Sequence, residues 1–370
     1  MNPFKARPLP SWVVFQLLER CNLRCSMCYE WGETGAYHER DATAELPLPL
    51  VLRTVRECLP ARPFFEFFGG EPLLYAGIWD VIDLIRSGGC ELAFPTNGTL
   101  LEQHAERLVR QGPTQLWISM DGPRAINDLQ RGRGVFARVM RGFDALARAG
   151  RAAGANMPAV GLTYVVTPLN HRHIAEFFLE TIGLTRLAAV SIELQSYISE
   201  AQNQAYAAVA RSEFGVGDTP CARAYVRHPS AFASMDVEAV SQQMTQVREI
   251  CAARGIRFYS QPRSLAVPDL QHYLGATWEQ MSERHHRCGV PWAQAEISAR
   301  GDVSTCHSFY DIAIGNLHEQ GLAEIWQGEK ARQLRAYLRK TLFPVCTACC
   351  RYYTNTPAPG HMQANARPNG

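Results

Sequence analysis

Three cysteines stand close together near the start of the chain, at Cys21, Cys25 and Cys28. Three thiolates on one loop can hold three irons of a [4Fe–4S] cube. A fourth cysteine would close the cube, but Cys58 follows only after a whole predicted helix. One iron is therefore expected to stay open to a substrate or cofactor, as in catalytic metal sites. Structural zinc is the alternative, but it normally requires four protein ligands.

A second group of cysteines lies towards the C-terminus, at Cys288, Cys306, Cys346, Cys349 and Cys350. Disulfide scaffolds are typical of short secreted chains, whereas this chain has 370 residues. In a reducing compartment, clustered cysteines more often bind metal. The isolated Cys58, Cys90, Cys221 and Cys251 lie in or near apolar segments and are expected to be buried structural thiols.

Strands and helices must position these cysteines. From residue 12 to about residue 195, short β-rich segments alternate with segments of helical period. Short β-rich segments occupy 12–19, 64–68, 91–97, 116–122, 160–167 and 189–194. Segments of helical period occupy 50–59, 78–87, 102–111, 136–149 and 173–182, and a sixth lies at 238–253. The alternation predicts a parallel sheet with crossover helices. Ligands bind at the carboxyl ends of such strands.

The rest of the chain is less regular. Residues 196–236 show no recognisable pattern and are predicted to be irregular, either a loop over the site or a surface insertion. A hairpin is predicted at 295–306 and a helix at 322–340. The predicted parts are a main domain at 1–270, a smaller cysteine-rich domain at 271–353 and a disordered tail at 354–370.

Composition and charge suggest a cytoplasmic protein. Charged residues make up 19% of the chain and the net charge is +2, which gives no reason to expect a nucleic-acid or membrane-surface partner. The N-terminal sequence MNPFKARPLP contains no apolar stretch of signal-peptide length, and no later run is long enough to span a bilayer.

The C-x3-C-x2-C spacing directly after the first strand resembles the signature of the radical S-adenosylmethionine (SAM) superfamily, and the resemblance covers roughly residues 11–200. It implies an α/β fold, a partial (β/α)6 barrel. It also implies that SAM binds the open iron of a [4Fe–4S] cluster held by Cys21, Cys25 and Cys28. Reductive cleavage of SAM would give a 5′-deoxyadenosyl radical, which takes a hydrogen atom from the substrate. A reductant such as flavodoxin or ferredoxin would supply the electron.

The segment Gly69-Gly70-Glu71-Pro72 follows the second strand and looks like the GGEP motif of this family. In the family, the backbone and the Glu of this motif hold the amino group of SAM. Glycines let the backbone approach a ligand closely. A carboxylate forms a charge-assisted hydrogen bond with an ammonium. By itself the segment would be only a turn, but its place at the end of the second strand favours SAM binding.

Further polar residues at the strand ends extend the resemblance. Asn97 ends the third strand, and Ser119 and Asp121 end the fourth, where the resemblance places them near SAM and the latter two near its ribose. Ordinary turn chemistry is the alternative. Arg131 resembles an arginine that meets the SAM carboxylate, although a solvated basic loop remains possible. Family members often carry an aromatic residue before the third cysteine, and here Tyr29, just after it, is the candidate for the adenine contact.

The C-terminal cysteines resemble the SPASM/twitch extension of radical SAM enzymes, which binds auxiliary [4Fe–4S] clusters. The implied ligands are Cys288, Cys306, Cys346 and Cys349. Cys350 could replace Cys349, and His307 is either a further ligand or a surface histidine. A full SPASM domain needs more cysteines for two clusters, so the single-cluster, twitch-like form is predicted. Such a saturated cluster would conduct electrons or orient the substrate, and zinc remains the alternative metal.

Two enzymatic functions follow from the resemblance. The first is action on a small polar metabolite, of sugar, aminocyclitol or nucleoside type, with dehydrogenation, epimerisation or decarboxylation as the outcome. It is favoured because the first strand begins near residue 12, which leaves no room for a peptide-recognition domain. The alternative is a maturase that modifies a ribosomally made precursor peptide delivered by a separate protein. A non-catalytic iron–sulfur or zinc scaffold is a third function, which the open iron and the GGEP motif argue against.

Overall fold

The computed structural model describes residues 6–40, 43–154, 157–283, 287–306 and 308–349. Its centre is a run of parallel strands, each paired with the next along the chain. They are β1 (Trp12–Leu18), β2 (Phe64–Gly69), β3 (Leu92–Thr96), β4 (Gln115–Ser119), β5 (Ala159–Val166), β6 (Ala189–Leu194) and β7 (Arg257–Gln261). The six predicted strands are confirmed, and β7 is an addition. Since every residue of β1 is buried, this strand is covered on both faces, as is usual in parallel sheets.

Helices connect these strands and cover the sheet. They are α1 (Leu48–Cys58), α2 (Ile78–Ser87), α3 (Leu101–Gln111), α4 (Arg124–Arg131), α5 (Val135–Ala153) and a π-helical turn at Glu176–Thr181. Apolar residues at helical spacing face the sheet; in α2, Ile78, Val81, Ile82 and Ile85 are buried. The described helices include none that is long and apolar enough to cross a membrane.

The prediction for residues 196–236 is wrong, because much of this segment is helical. It contains α6 (Glu200–Phe214) and α7 (Pro220–Ala224), and α8 (Val237–Ala253) follows. A capping box starts α6: the Ser199 hydroxyl accepts a hydrogen bond from the Gln202 amide, and the Gln202 side chain accepts one from the Ser199 amide. The sequence contains this Ser-x-x-Gln signal. The helical period is weak, however, because only Tyr206 and Ala210 of α6 are buried.

The C-terminal strands continue the same sheet. The strand β8 (Gln294–Ile297) pairs in parallel with β1, and β9 (Asp302–Ser304) pairs antiparallel with β8 and with β10 (Gly315–Asn316). The predicted hairpin is therefore confirmed, and the sheet is open, with ten strands in the part of the chain that the structure describes. A buried hydrogen bond of 3.2 Å from the Gln16 Nε2 to the Glu296 Oε1 joins β1 to β8.

The predicted C-terminal helix is divided at Gly328 into α10 (Leu322–Gln327) and α11 (Glu329–Lys340). Residue 270, where a domain boundary is predicted, lies within α9 (Val267–Leu274). His307, Cys350 and the predicted disordered tail at 354–370 lie outside the described residues.

Candidate iron–sulfur and SAM sites

The first three cysteines lie on the loop that follows β1, and this loop is packed tightly against the end of β2. The Gly70 amide donates to the Leu18 carbonyl at 2.9 Å, and the Glu71 amide donates to the Arg20 carbonyl at 3.0 Å. A Cβ atom on Gly70 would lie only 2.1 Å from the Arg20 carbonyl oxygen. Glycine is therefore required at this position by the close approach of the cysteine loop.

Two of the cysteine sulfurs receive hydrogen bonds from N–H groups. The Leu23 amide lies 3.5 Å from the Cys21 Sγ, and the Trp31 amide lies 3.3 Å from the Cys28 Sγ. The Asn97 side-chain amide also points at the Cys21 Sγ, at 3.8 Å. Donors of this kind favour thiolates and tune iron–sulfur clusters. The loop therefore fits the three-cysteine ligand set of a cluster.

Burial of the thiols has a consequence for metal loading. It raises the pKa of Cys21 to about 11 and that of Cys28 to about 12. Burial also raises the pKa of Cys25, although the nearby Arg131 guanidinium opposes this. At neutral pH the free thiols are protonated, so binding of iron as thiolates must displace protons.

A cavity of about 340 Å³ opens at the carboxyl ends of the strands and is lined by Cys21, Cys25 and Cys28. The predicted SAM contacts that also line it are Tyr29, Gly69, Gly70, Asn97, Ser119 and Arg131. The structure thus brings most of the predicted site residues to one place. Glu71, Pro72 and Asp121 do not line the cavity and are buried behind its wall.

Glu71 joins the ends of β2 and β3. Its fully buried carboxylate accepts hydrogen bonds from the Leu73 amide at 3.1 Å, the Thr96 hydroxyl at 2.8 Å and the Asn97 amide at 2.8 Å. Burial raises its pKa to about 7, although these hydrogen bonds oppose the shift. Glu71 therefore fixes Asn97, which in turn points at a cysteine sulfur. Its predicted contact with the amino group of SAM stays a prediction.

Asp121 holds Arg131 in place. The Arg131 Nε donates to the Asp121 Oδ2 at 2.5 Å, and the other carboxylate oxygen accepts from the Val165 amide at 2.8 Å. Burial lowers the pKa of Arg131, but the Asp121 carboxylate together with the nearby Cys25 and Cys28 outweighs this effect, so the pKa lies above its ordinary value. Arg131 is only 7% exposed. This buried cation at the cavity wall suits an anionic group of a ligand better than the alternative of a solvated loop.

Several lining residues were not singled out from the sequence. Tyr225 stacks on Tyr29 with ring centroids 4.6 Å apart, which makes an aromatic wall. Gln261 ends β7, and Ser308 follows β9. Tyr225 falls in the segment that shows no recognisable pattern, and Gln261 and Ser308 lie in regions where only the fold brings them to the cavity.

The four C-terminal cysteines with described positions come together from separate segments. Burial raises the pKa of Cys306, and the nearby Cys288 and Cys349 raise it further. Burial likewise raises the pKa of Cys346, with added contributions from the other three thiols. Such mutual electrostatic effects require proximity. Among the described residues no group of three or more His, Cys, Asp or Glu side chains is arranged to hold a single metal ion. The four thiols from three segments are therefore a candidate site for the larger iron–sulfur cluster rather than for one ion.

The family is shown by sequence comparison. Residues 15–180 match the radical SAM superfamily, and residues 288–350 match SPASM, an iron–sulfur cluster-binding domain. The chain is a radical SAM enzyme with a C-terminal SPASM domain. It therefore uses SAM and a [4Fe–4S] cluster, and its SPASM domain binds auxiliary iron–sulfur clusters.

Individual relatives share less than a third of their aligned residues with this chain. The tungsten-containing aldehyde ferredoxin oxidoreductase cofactor-modifying protein of Pyrococcus furiosus is 22% identical over 350 residues, covering 91% of this chain and 86% of that protein. The mycofactocin maturase MftC of Mycobacterium ulcerans is 28% identical over 187 residues, covering 48% of this chain and 47% of that protein. The chain thus spans about half the length of MftC.

Among solved structures, Streptococcus suis SuiB bound to S-adenosylmethionine is similar with a TM-score of 0.61 and 15% identity. The match covers 94% of this chain and 72% of SuiB. At this identity the similarity concerns the fold, and it includes the C-terminal region.

Proposed function

We propose that this enzyme modifies a ribosomally made precursor peptide, the alternative from the sequence, rather than a small polar metabolite. The comparisons favour this choice, because MftC is a maturase and SuiB has been crystallised with its precursor peptide SuiA. They give no support for the small-metabolite substrate. The relation to SuiB is one of fold, so the support for a peptide substrate is by analogy.

The observation that carries the proposal is a cavity that the first cysteine site lines and that the second site adjoins through Ser308. Cys21, Cys25 and Cys28 line it from the β1 loop, and Ser308 lines it from the C-terminal domain beside Cys349. A substrate held there lies between the radical-generating site and the auxiliary site. An arrangement of this kind suits oxidative chemistry on a segment laid along the cavity.

Each predicted site residue has a proposed task. Cys21, Cys25 and Cys28 hold the first cluster, and the described cysteines of the C-terminal domain hold one auxiliary cluster. The ligands of the auxiliary cluster are Cys288, Cys306, Cys346 and Cys349. The first cluster with SAM, when bound, supplies a 5′-deoxyadenosyl radical that removes a hydrogen atom from the substrate. The domain boundary is proposed near residue 270.

The remaining residues bind and orient SAM. Arg131 would bind its carboxylate, Tyr29 with Tyr225 would hold its adenine, and Ser119 would bind its ribose, since all four residues line the cavity. Glu71 and Asp121 act from behind the wall by holding Asn97 and Arg131 in position. A small reductant such as flavodoxin or ferredoxin would deliver the electron, and the proposed location is the cytoplasm.

The test uses the full chain, reconstituted anaerobically with iron and sulfide. It is incubated with SAM, dithionite and synthetic peptides translated from short reading frames beside its gene, and the products are analysed by mass spectrometry. We expect one peptide to change in mass, through crosslinking, or to gain an epimerised residue. With that peptide deuterated at the reacting position, deuterium should appear in 5′-deoxyadenosine. The Cys25→Ala variant should give neither result.

The competing substrate class is tested in the same assay with sugars, aminocyclitols and nucleosides. If one of these transfers deuterium to 5′-deoxyadenosine and none of the peptides does, the peptide proposal is wrong and the small-metabolite function is restored.

A further inference from the structure

We propose that Ser308 sets the reduction potential of the auxiliary cluster through a hydrogen bond to one of its ligands, from a position on the wall of the substrate cavity. Ser308 is thus a positioning residue that connects the two sites. The inference rests on the proposed assignment of Cys349 as an auxiliary ligand, and it does not depend on the identity of the substrate.

The geometry of the Ser308 side chain is specific. Its hydroxyl donates to the Cys349 Sγ at 3.5 Å, a normal distance for a hydrogen bond to sulfur. The residue is only 8% exposed, yet it lines the cavity. One side chain therefore contacts a cysteine of the auxiliary site and the space in which a substrate lies.

The backbone around Ser308 is held in place by its neighbours. The thiol of the buried Cys221 donates to the Ser308 carbonyl at 3.1 Å. The Cys221 amide in turn donates to the Asp311 carboxylate at 2.8 Å, and the Ala222 amide donates to the same carboxylate at 3.1 Å. These contacts tie the start of α7 to the segment that follows β9. The main chain of Ser308 is thus fixed, and the hydroxyl is directed at the Cys349 Sγ by its own hydrogen bond.

A hydroxyl that donates to a cluster ligand stabilises the form with more negative charge. Reduction adds one electron to the cluster, so the reduced form gains more from the hydrogen bond than the oxidised form does. The hydrogen bond should raise the reduction potential of the auxiliary cluster. A substrate group that captured the hydroxyl would lower this potential, which would make the cluster sensitive to occupation of the cavity.

The experiment measures the potential directly. The Cys21, Cys25 and Cys28 triple alanine variant removes the first cluster, so that only the auxiliary cluster contributes to a redox titration followed by electron paramagnetic resonance. In this background we expect Ser308→Ala to lower the potential by an amount equal to about a tenfold change in the ratio of oxidised to reduced cluster, about 59 mV for one electron. Ser196→Ala is the matched control.

Ser196 suits this purpose because it also lines the cavity, while its hydroxyl accepts a hydrogen bond from the Gln261 side chain at 3.0 Å. Its variant should keep the parent potential. An unchanged potential in Ser308→Ala with the iron retained would overturn the inference. A site that holds zinc and gives no redox signal would overturn it as well.

A second pair of variants tests the same hydrogen bond in case Ser308→Ala loses the auxiliary cluster. Threonine keeps the hydroxyl, and valine has nearly the same shape without it, so Ser308→Thr and Ser308→Val differ mainly in the donor. We expect the potential of the valine variant to lie below that of the threonine variant. Equal potentials would overturn the inference. Failure of the peptide assay leaves these potentials unaffected, so the two proposals fail independently.

Discussion

The two cysteine sites of this enzyme are built in different ways. The first takes its three cysteines from one short loop after β1, fixed by close contact with Gly70. The second gathers four cysteines from positions as far apart as Cys288 and Cys349. A local loop of three cysteines can leave one iron open for a ligand, whereas four cysteines from three converging segments can supply every ligand of their cluster. Local spacing alone indicates the first kind of site. The second is expected from its resemblance to the SPASM/twitch extension, and its four cysteines meet only through the fold.

Their surroundings differ as well. The first site faces the cavity together with Arg131 and Asn97, which suit a zwitterionic ligand. The second is adjacent to the cavity through Ser308. If the two sites are separate, substitutions at one site should leave the metal content of the other unchanged.

The largest effect is expected from removal of the first ligand set. The parent protein should hold about eight irons, two cubes of four, and the Cys21, Cys25 and Cys28 triple alanine variant should hold about four. SAM cleavage should be abolished, because no open iron remains. Iron analysis and chromatography of 5′-deoxyadenosine provide the measurement. Residual SAM cleavage in this variant would place the radical site elsewhere.

The next effect concerns the buried ion pair behind the cavity. Asp121→Asn leaves the Arg131 guanidinium buried without its carboxylate, which should reduce the free energy of unfolding by about 3–5 kcal/mol. SAM affinity should fall as well, because Arg131 loses its orientation. Denaturant unfolding and calorimetric SAM binding measure the two effects.

The matched control is the exposed pair between Arg141 and Glu102, with an N–O distance of 3.0 Å. Glu102→Gln should change stability by less than about 1 kcal/mol. Equal effects of the two substitutions would contradict the positioning role of Asp121.

Gly70→Ala tests the packing of the cysteine loop. The new Cβ would collide with the Arg20 carbonyl, so we expect a loss of about 1–3 kcal/mol in the free energy of unfolding, loss of SAM cleavage and retention of the auxiliary iron. Gly217→Ala is the control, because nothing lies within 4 Å of its added Cβ. Full SAM cleavage in Gly70→Ala would show that the loop does not need this contact.

The smallest effect is the release of protons on cluster loading. Because burial raises the pKa of Cys21 to about 11 and that of Cys28 to about 12, these thiols are protonated at pH 7. Each thiolate bound to iron releases one proton, so loading should become more favourable as pH rises, by up to about tenfold per pH unit for each proton displaced.

Reconstitution in weakly buffered solution should therefore release about three more protons from the parent protein than from the triple alanine variant, after correction for the iron and sulfide added. Equal release by both proteins would mean that the first three cysteines are not the ligands.

The comparison also explains what the sequence could reveal. The alternation of strands and helices was predictable because apolar runs with strand or helical period must be buried. The polar residues at the strand ends were predictable because parallel strands bring their carboxyl ends to one edge. The pairing of β8 with β1 was not predictable, because two strands far apart in the chain leave no local signal of their pairing in the sequence.

The roles of individual residues show the same limit. Glu71 could be singled out by its motif, but its hydrogen bond to the Asn97 amide depends on the adjacency of β2 and β3. Tyr225 and Ser308 reach the cavity from segments without periodic hydrophobicity. Their positions depend on tertiary contacts, such as the hydrogen bond from Cys221 to Ser308.

The most direct test of two separate sites is Cys306→Ala, examined for iron, SAM cleavage and product. We predict loss of the auxiliary iron, SAM cleavage without substrate at the parent rate and no modified product, because the first site takes all its ligands from the β1 loop. Far-UV circular dichroism and SAM binding check that the variant is folded, since metal sites contribute to folding. A folded variant that no longer cleaves SAM would contradict the separation of the sites, and one that forms product at the parent rate would make the second metal purely structural.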